Sequence, residues 1–113
     1  MILDHPGPEV AINDEDGRRL ASAEIDLADR STVRAAMHIE AGHLPPGTRA
    51  RLVDAVLDTP EVAARRHVQV TLPLGDSEIL QRIRERCDET KARAAGTTCL
   101  VEASFRELQP ETD

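Results

Sequence analysis

Between Thr32 and Leu57 the chain changes its period, and that change limits what it can fold into. Val33, Ala35, Met37 and Ile39 alternate with Arg34, Ala36, His38 and Glu40. Gly42 and Pro45–Pro46–Gly47 follow, and then Leu52, Val53, Val56 and Leu57 recur at helical spacing. Alternation places one apolar set on one face of a strand, whereas the later spacing builds one stripe on a helix. Ala and Met also favour helix, but Gly42 and the two prolines would cut a helix short. The stretch therefore predicts a strand, a tight loop and an amphipathic helix. Such a junction offers an anion unpaired backbone N–H groups and the positive end of a helix dipole.

The remaining segments arrange themselves around this unit. Met1–Pro8 is broken by prolines and predicts irregular chain. Glu9–Leu27 predicts a hairpin: Val10 and Ile12 alternate, Asp16–Gly17 supplies the turn, and Ala21, Ala23, Ile25 and Leu27 share one face. A second turn covers Asp29–Thr32. The helix after the loop starts at Gly47 or Thr48, with Thr48 as its N-cap, and runs to about Asp58; Pro60 then ends it or opens a short extra turn. His67–Leu74 predicts a strand through Val68, Val70 and Leu72. Asp76 or Ser77 caps a helix predicted over Ser77–Ala95, with Ile79, Leu80, Ile83 and Cys87 as its buried stripe. Glu78–Arg82 and Glu89–Arg93 fall at i,i+4 on it, and Gly96 marks its end. Thr97–Phe105 predicts a last strand, and a polar tail follows from Leu108.

The order is β-β-β-α-β-α-β, an α/β (α+β mixed sheet) fold. A three-stranded antiparallel meander leads into two right-handed crossovers, with helices packed on a mixed five-stranded sheet. The 113 residues predict a single domain, with a core expected over 9–106 and flexible ends expected at 1–8 and 107–113. A ferredoxin-like α+β domain with an extra hairpin has a similar element count. The two differ in whether the central strand and His67–Leu74 run parallel and splay apart.

Composition narrows function further. Phe105 is the only aromatic residue, so base stacking, aromatic cages and a tyrosine general acid are absent. A net charge of −7 argues against nucleic-acid and membrane partners. No apolar run approaches the ~20 residues of a membrane span, and no signal-like segment follows Met1. The expectation is a cytoplasmic protein with Cys87 and Cys99 as reduced, buried side chains. His5, His38, His43 and His67 with the two cysteines show no metal-ligand spacing. The acidic run at Asn13–Gly17 lacks the ligand spacing of a calcium loop. There is no nucleophile elbow and no dinucleotide fingerprint. Glu40 and His38 share one face of the central strand and are the candidate general bases.

Over about Val10 to Phe105 the order of elements resembles the core of the GNAT acetyltransferase superfamily. In that family a meander feeds a central strand, a pyrophosphate-binding loop and a helix, and a second strand–helix–strand unit follows. The resemblance places a coenzyme A site in the 42–49 loop, with Gly47, Thr48 and Arg49 as cofactor-binding candidates. The family loop reads Arg or Gln, two residues, Gly, one residue, then Gly or Ala. Aligned on Leu52–Val53, this chain has Leu44–Pro45–Pro46–Gly47–Thr48–Arg49, and only Gly47 matches. Pro45 and Pro46 remove two N–H donors, and Arg49 replaces a small residue. Pro73–Leu74–Gly75–Asp76 carries no Asn, the family's Tyr has no counterpart, and the family's final hairpinned-back strand is expected to be missing. These departures point to a degenerate, C-terminally truncated core that binds no cofactor and acts in binding or in homo- or hetero-oligomeric assembly. A homodimer or a partner protein docked on an exposed edge strand would satisfy the unpaired backbone. The alternative is a minimal N-acyltransferase that holds acetyl-CoA or another acyl-CoA at the 42–49 loop and acylates an amine.

Overall fold

The computed structural model describes residues 6–27, 31–40 and 44–104. Three strands open the chain, β1 (Pro6–Asn13), β2 (Arg19–Leu27) and β3 (Thr32–Ile39). Their antiparallel meander follows from the two apolar alternations and the turn between them. Asp14 closes that turn: its Oδ1 accepts from the amides of Asp16 and Arg18, both at 2.9 Å. β1 starts at Pro6 rather than Glu9: Pro6 pairs with Asp26, and a register shift separates it from the pair Glu9–Glu24. Thr32–Ile39 is a strand throughout, and Val33, Ala35 and Met37 are buried while Arg34 and His38 are exposed.

α1 (Thr48–Leu57) and the short α2 (Pro60–Ala63) lead to β4 (His67–Pro73), which pairs parallel with β3. That is the parallel β-α-β crossover expected of this order. α3 (Ser77–Arg86) follows, and here the structure departs from expectation. The helix ends at Cys87, whose φ of −116° and ψ of 153° are extended. Glu89–Ala95 then forms a strand, β5, and Thr98–Ser104 forms β6. Gly96 does not stop a helix; with φ of 66° it takes the first central position of a two-residue hairpin turn closed by Ala95 and Thr98. Lys91, Ala92, Arg93 and Ala94 favour helix in isolation, but cross-strand pairing with β6 overrides so small a preference. A hairpinned-back strand, expected to be missing, is therefore present.

The sheet has six strands in the order β1-β2-β3-β4-β6-β5, one more than expected. β6 returns between β4 and β5 and runs antiparallel to both, so the last strand does not pair parallel with β4 as expected; β5, reached through α3, runs parallel to β4 with β6 inserted between them. Pairing on both sides of β6 leaves no gap in the sheet. Its outer strands are β1 and β5.

All the helices lie on one face. Ala21, Ala23, Val33, Ala35, Val70 and Val101 line that face, and Leu52, Val53, Val56, Ile79 and Ile83 come down on it from α1 and α3. The small alanines of β2, Ala21 and Ala23, let α1 approach closely. Cys87 and Cys99 are buried free thiols in this core, and burial pushes the Cys87 thiol up. On the other face Glu24, Arg34, His38 and Glu102 are exposed, and among the described residues no helix covers it. No helix among the described residues is long and apolar enough to cross a membrane.

Candidate functional site

β3 and β4 stay paired only as far as Ala36 and Thr71. Beyond that point β3 continues with β2, to the pair Ile39–Ala21, while β4 continues with β6, to the pair Pro73–Thr98. Two neighbours that follow different partners separate, and the sheet opens into a wedge at their C-terminal ends. The loops leaving these ends enter α1 and α3, so both helix N-termini stand at the mouth of the wedge.

The loop into α1 is a reverse turn over Pro45–Pro46–Gly47–Thr48. Gly47 has φ of 84° and ψ of −3°, and the Thr48 amide donates to the Pro45 carbonyl at 3.3 Å. Proline followed by a left-handed glycine at the two central positions is the type II pattern. The Thr48 hydroxyl also donates to the Pro45 carbonyl, at 2.8 Å. Thr48 is thus buried and turned backward instead of serving as N-cap, and Gly47 holds the cap position with no side-chain bond. Arg51 closes the first helical turn on Gly47 at 2.9 Å. The amides of Arg49 and Ala50 have no backbone partner among the described residues.

The loop into α3 is capped as expected: Asp76 Oδ1 accepts from the Ile79 amide at 3.2 Å. Its other oxygen was not anticipated as a partner. Asp76 Oδ2 receives the Nε of Arg49 at 2.8 Å, and the Asp76 side chain is only 8% exposed. The guanidinium proposed for a ligand's phosphate is therefore already held by a protein carboxylate. An Asp at a predicted N-cap was visible in sequence, but its pairing with a residue 27 positions earlier was not.

This contact is the first of three polar rungs between the helices. Asp54 receives Arg82 through Nε and Nη2, both at 2.9 Å, and Arg86 Nη1 at the same distance. Arg86 Nη2 reaches Asp58 at 2.8 Å. Hydrogen bonding from Arg82, and then from Arg86, outweighs burial and holds the Asp54 carboxyl below the usual carboxylate range. The rungs fix α1 beside α3 and so fix the two N-termini at the wedge.

An open cavity of about 420 Å³ lies at this end, lined by Arg49, Pro73, Leu74, Gly75, Asp76, Ser77 and Glu78. Leu74 is 51% exposed, the one large apolar side chain so exposed among the described residues. The cavity thus offers an apolar contact, one neutralised guanidinium and two carboxylates, an arrangement that opposes a diphosphate more than it welcomes one.

The other candidates lie apart from this cavity. His38 faces outward on the uncovered side of the sheet, opposite Ser22, and Glu40 is exposed just past the end of β3. Among the described residues neither side chain has a hydrogen bond or an ion pair. Gly42 and His43, the first two positions of the 42–49 loop, lie outside the described residues, as do His5 and Phe105. Among the described residues no three His, Cys, Asp or Glu converge as metal ligands would.

No family model matches the sequence, and no curated relative matches it. Solved structures do match. The GNAT domain of Streptomyces lividans PAT superposes with a TM-score of 0.59 at 12% identity, covering 84% of this chain and 58% of that one. Ribosomal-protein-alanine N-acetyltransferase from Brucella melitensis gives 0.59 at 10% identity, over 85% of this chain and 66% of that one. This is a GNAT-like fold. Diaminobutyrate acetyltransferase from Paenibacillus lautus, solved with L-2,4-diaminobutyric acid and coenzyme A, gives 0.58 at 13%, over 84% and 70%. The chain thus spans between 58% and 70% of the length of these GNAT structures. At these identities the likeness establishes the acyl-CoA N-acyltransferase fold and nothing finer.

Proposed function

We propose that this chain is a non-catalytic GNAT-like domain that acts in binding or assembly, as a homodimer or with a partner protein on the β5 edge, in the cytoplasm. The observation that carries this reading is the Arg49–Asp76 ion pair at 2.8 Å, at the site where a coenzyme diphosphate would have to sit. Pro45 and Pro46 supply no amides, the Thr48 amide is spent on its own turn, and Asp76 and Glu78 add negative charge. A diphosphate would have to displace a carboxylate that also caps α3. The absence of tyrosine supports the same reading, since the family's general acid has no counterpart.

Heat-capacity calorimetry in the presence of acetyl-CoA and of coenzyme A tests it. The melting temperature is expected to stay within about 1 °C of the free protein at millimolar ligand. A rise of several degrees overturns the reading, because a ligand that binds only the native state must stabilise it by mass action.

A second reading rests on the wedge. The strands part beside the 42–49 loop that the family resemblance assigns to coenzyme A, and the Arg49 and Ala50 amides have no backbone partner among the described residues. A minimal N-acyltransferase would use Gly47, Thr48 and Arg49 for acyl-CoA and Glu40 or His38 as the base that deprotonates an amine. Release of free coenzyme A thiol on addition of an amine would favour it, and loss of that release in Glu40→Gln or His38→Gln would assign the base.

A further inference from the structure

The two outer strands of the sheet differ in kind. β1 carries Pro6 and Pro8, which lack N–H groups, and its register slips near both ends. Prolines and bulges protect an edge from further pairing. β5 has neither protection. Its seven residues pair with β6 in unbroken register from Glu89–Ser104 to Ala95–Thr98, and it contains no proline. Among the described residues no strand pairs with its outer side.

The side chains of β5 are sorted by face. Thr90, Ala92 and Ala94 stand opposite Ala103, Val101 and Cys99 on the helix side and are small enough to leave the edge open. Glu89, Lys91 and Arg93 stand on the uncovered side and are all exposed. Lys91 and Glu89 border an open cavity of about 280 Å³, so their charged ends are not packed in. Lys91 lies opposite Glu102 without an ion pair to it, and Arg93 lies opposite Leu100 with no carboxylate across from it; neither cation has an ion pair among the described residues.

This row decides which strand can be added. A second copy in the antiparallel register that uses the whole of β5 pivots on Ala92. That register sets Lys91 against the copy's Arg93 twice, and like charges directly opposite are destabilising. A strand with carboxylates opposite Lys91 and Arg93, and an uncharged residue opposite Glu89, meets both cations with opposite charge, and its other side chains face Thr90 and alanines. At physiological ionic strength the screening length is about 8 Å, so the edge is read locally despite the net charge of −7.

We infer that β5 is the docking edge for an extended acidic segment of another protein, added antiparallel as a seventh strand with carboxylates opposite Lys91 and Arg93. This deepens the binding reading by naming its partner's chemistry, and it rests on that reading. Backbone pairing would supply affinity, and the two cations specificity.

The test uses the full chain and two capped seven-residue peptides, one alternating valine with glutamate and one alternating valine with lysine. Binding is read by NMR shifts of the β5 amides. The glutamate peptide is expected to bind at least about tenfold more tightly, with the largest shifts between Glu89 and Ala95. The double variant Lys91→Glu/Arg93→Glu, checked by circular dichroism for an unchanged fold, is expected to reverse the preference. Equal binding of both peptides overturns the inference, as does no binding at 1 mM (roughly −4 kcal/mol). A concentration-dependent dimer that the double variant abolishes also overturns it. The coenzyme titration on the same sample is independent: a chain that binds acetyl-CoA and also takes the acidic peptide loses the non-catalytic reading but keeps the edge.

Discussion

Arg49 and Asp76 face each other across the mouth of the wedge, Nε to Oδ2 at 2.8 Å, and each belongs to the first turn or cap of a different helix. Asp76 therefore does two things with one carboxylate: it caps α3 and occupies the guanidinium at the start of α1. Asp76→Ala removes both and is expected to cost about 1–2 kcal/mol, the usual range for a lost N-cap, read from urea denaturation. Asp76→Asn keeps a cap oxygen and is expected to cost less. The alanine variant also frees Arg49 beside two unpartnered amides. Inorganic pyrophosphate at 10 mM is then expected to raise its melting temperature by about 2 °C or more, with no such rise in the parent chain. Equal responses would show that Asp76 does not hold the site closed.

The Asp54 rung has a pH signature. Its carboxyl is held below the ordinary value of about 3.9 by hydrogen bonds from Arg82 and Arg86. A carboxyl with a lowered native pKa contributes stability that is fully present above its unfolded value and is lost as pH falls through the native one. Asp54→Asn should therefore lower the melting temperature on the order of 4 °C at pH 7, with the gap between variant and parent closing below about pH 4. Melting followed by circular dichroism across pH 2.5–7 checks this. A gap that persists unchanged at the lowest pH would mean that geometry rather than charge holds the rung. High salt should narrow the gap at neutral pH, because the side chains are about one-third exposed.

Much of the fold could be read from the chain, and the reason is local. Val33, Ala35, Met37 and then Leu52, Val53, Val56 carry unambiguous periods, and their faces are buried as those periods require. The same holds for Val68, Val70 and Leu72. The segment after Cys87 could not be read that way. Ala92, Arg93 and Ala94 have helical propensity, and Gly96 is as good a helix stop as a hairpin turn. What decides the matter is pairing with Thr98–Ser104, a tertiary fact with no local signature. The candidate site divides in the same manner. Gly47 and its turn were legible because proline fixes its own φ and glycine accepts the positive φ the turn requires. The Arg49–Asp76 contact was not, because nothing in either residue's neighbourhood names the other.

Thr90 is a cost that this strand carries. Its hydroxyl Oγ1 is buried on the helix side of β5 with no hydrogen-bond partner among the described residues. An unsatisfied buried polar group costs about 1–3 kcal/mol, whereas an apolar group of the same shape removes that penalty. Thr90→Val keeps the β-branched shape and is expected to stabilise the fold by about 1 kcal/mol in urea denaturation with an unchanged m-value. Thr90→Ser is expected to destabilise, since it keeps the hydroxyl and leaves a methyl-sized void. A destabilised valine variant would show that the hydroxyl has found a partner.

Gly47 sets the direction in which α1 leaves the wedge. Its φ of 84° lies in the left-handed region, and a Cβ built there would meet nothing within 4 Å. Substitution is thus penalised by backbone conformation alone and not by collision. Gly47→Ala should cost about 1–2 kcal/mol, the price of a left-handed turn residue with a Cβ. Gly47→Asn should cost less, because asparagine tolerates that region. Gly47→Pro fixes φ near −65° and is incompatible with the turn, so it should disconnect the Pro45–Thr48 turn and release the Thr48 amide. The order of melting temperatures is expected to be glycine, asparagine, alanine, proline. An alanine variant as stable as the parent would mean that the loop has a second conformation of nearly equal energy, and that the amides at the start of α1 are not held in the arrangement described.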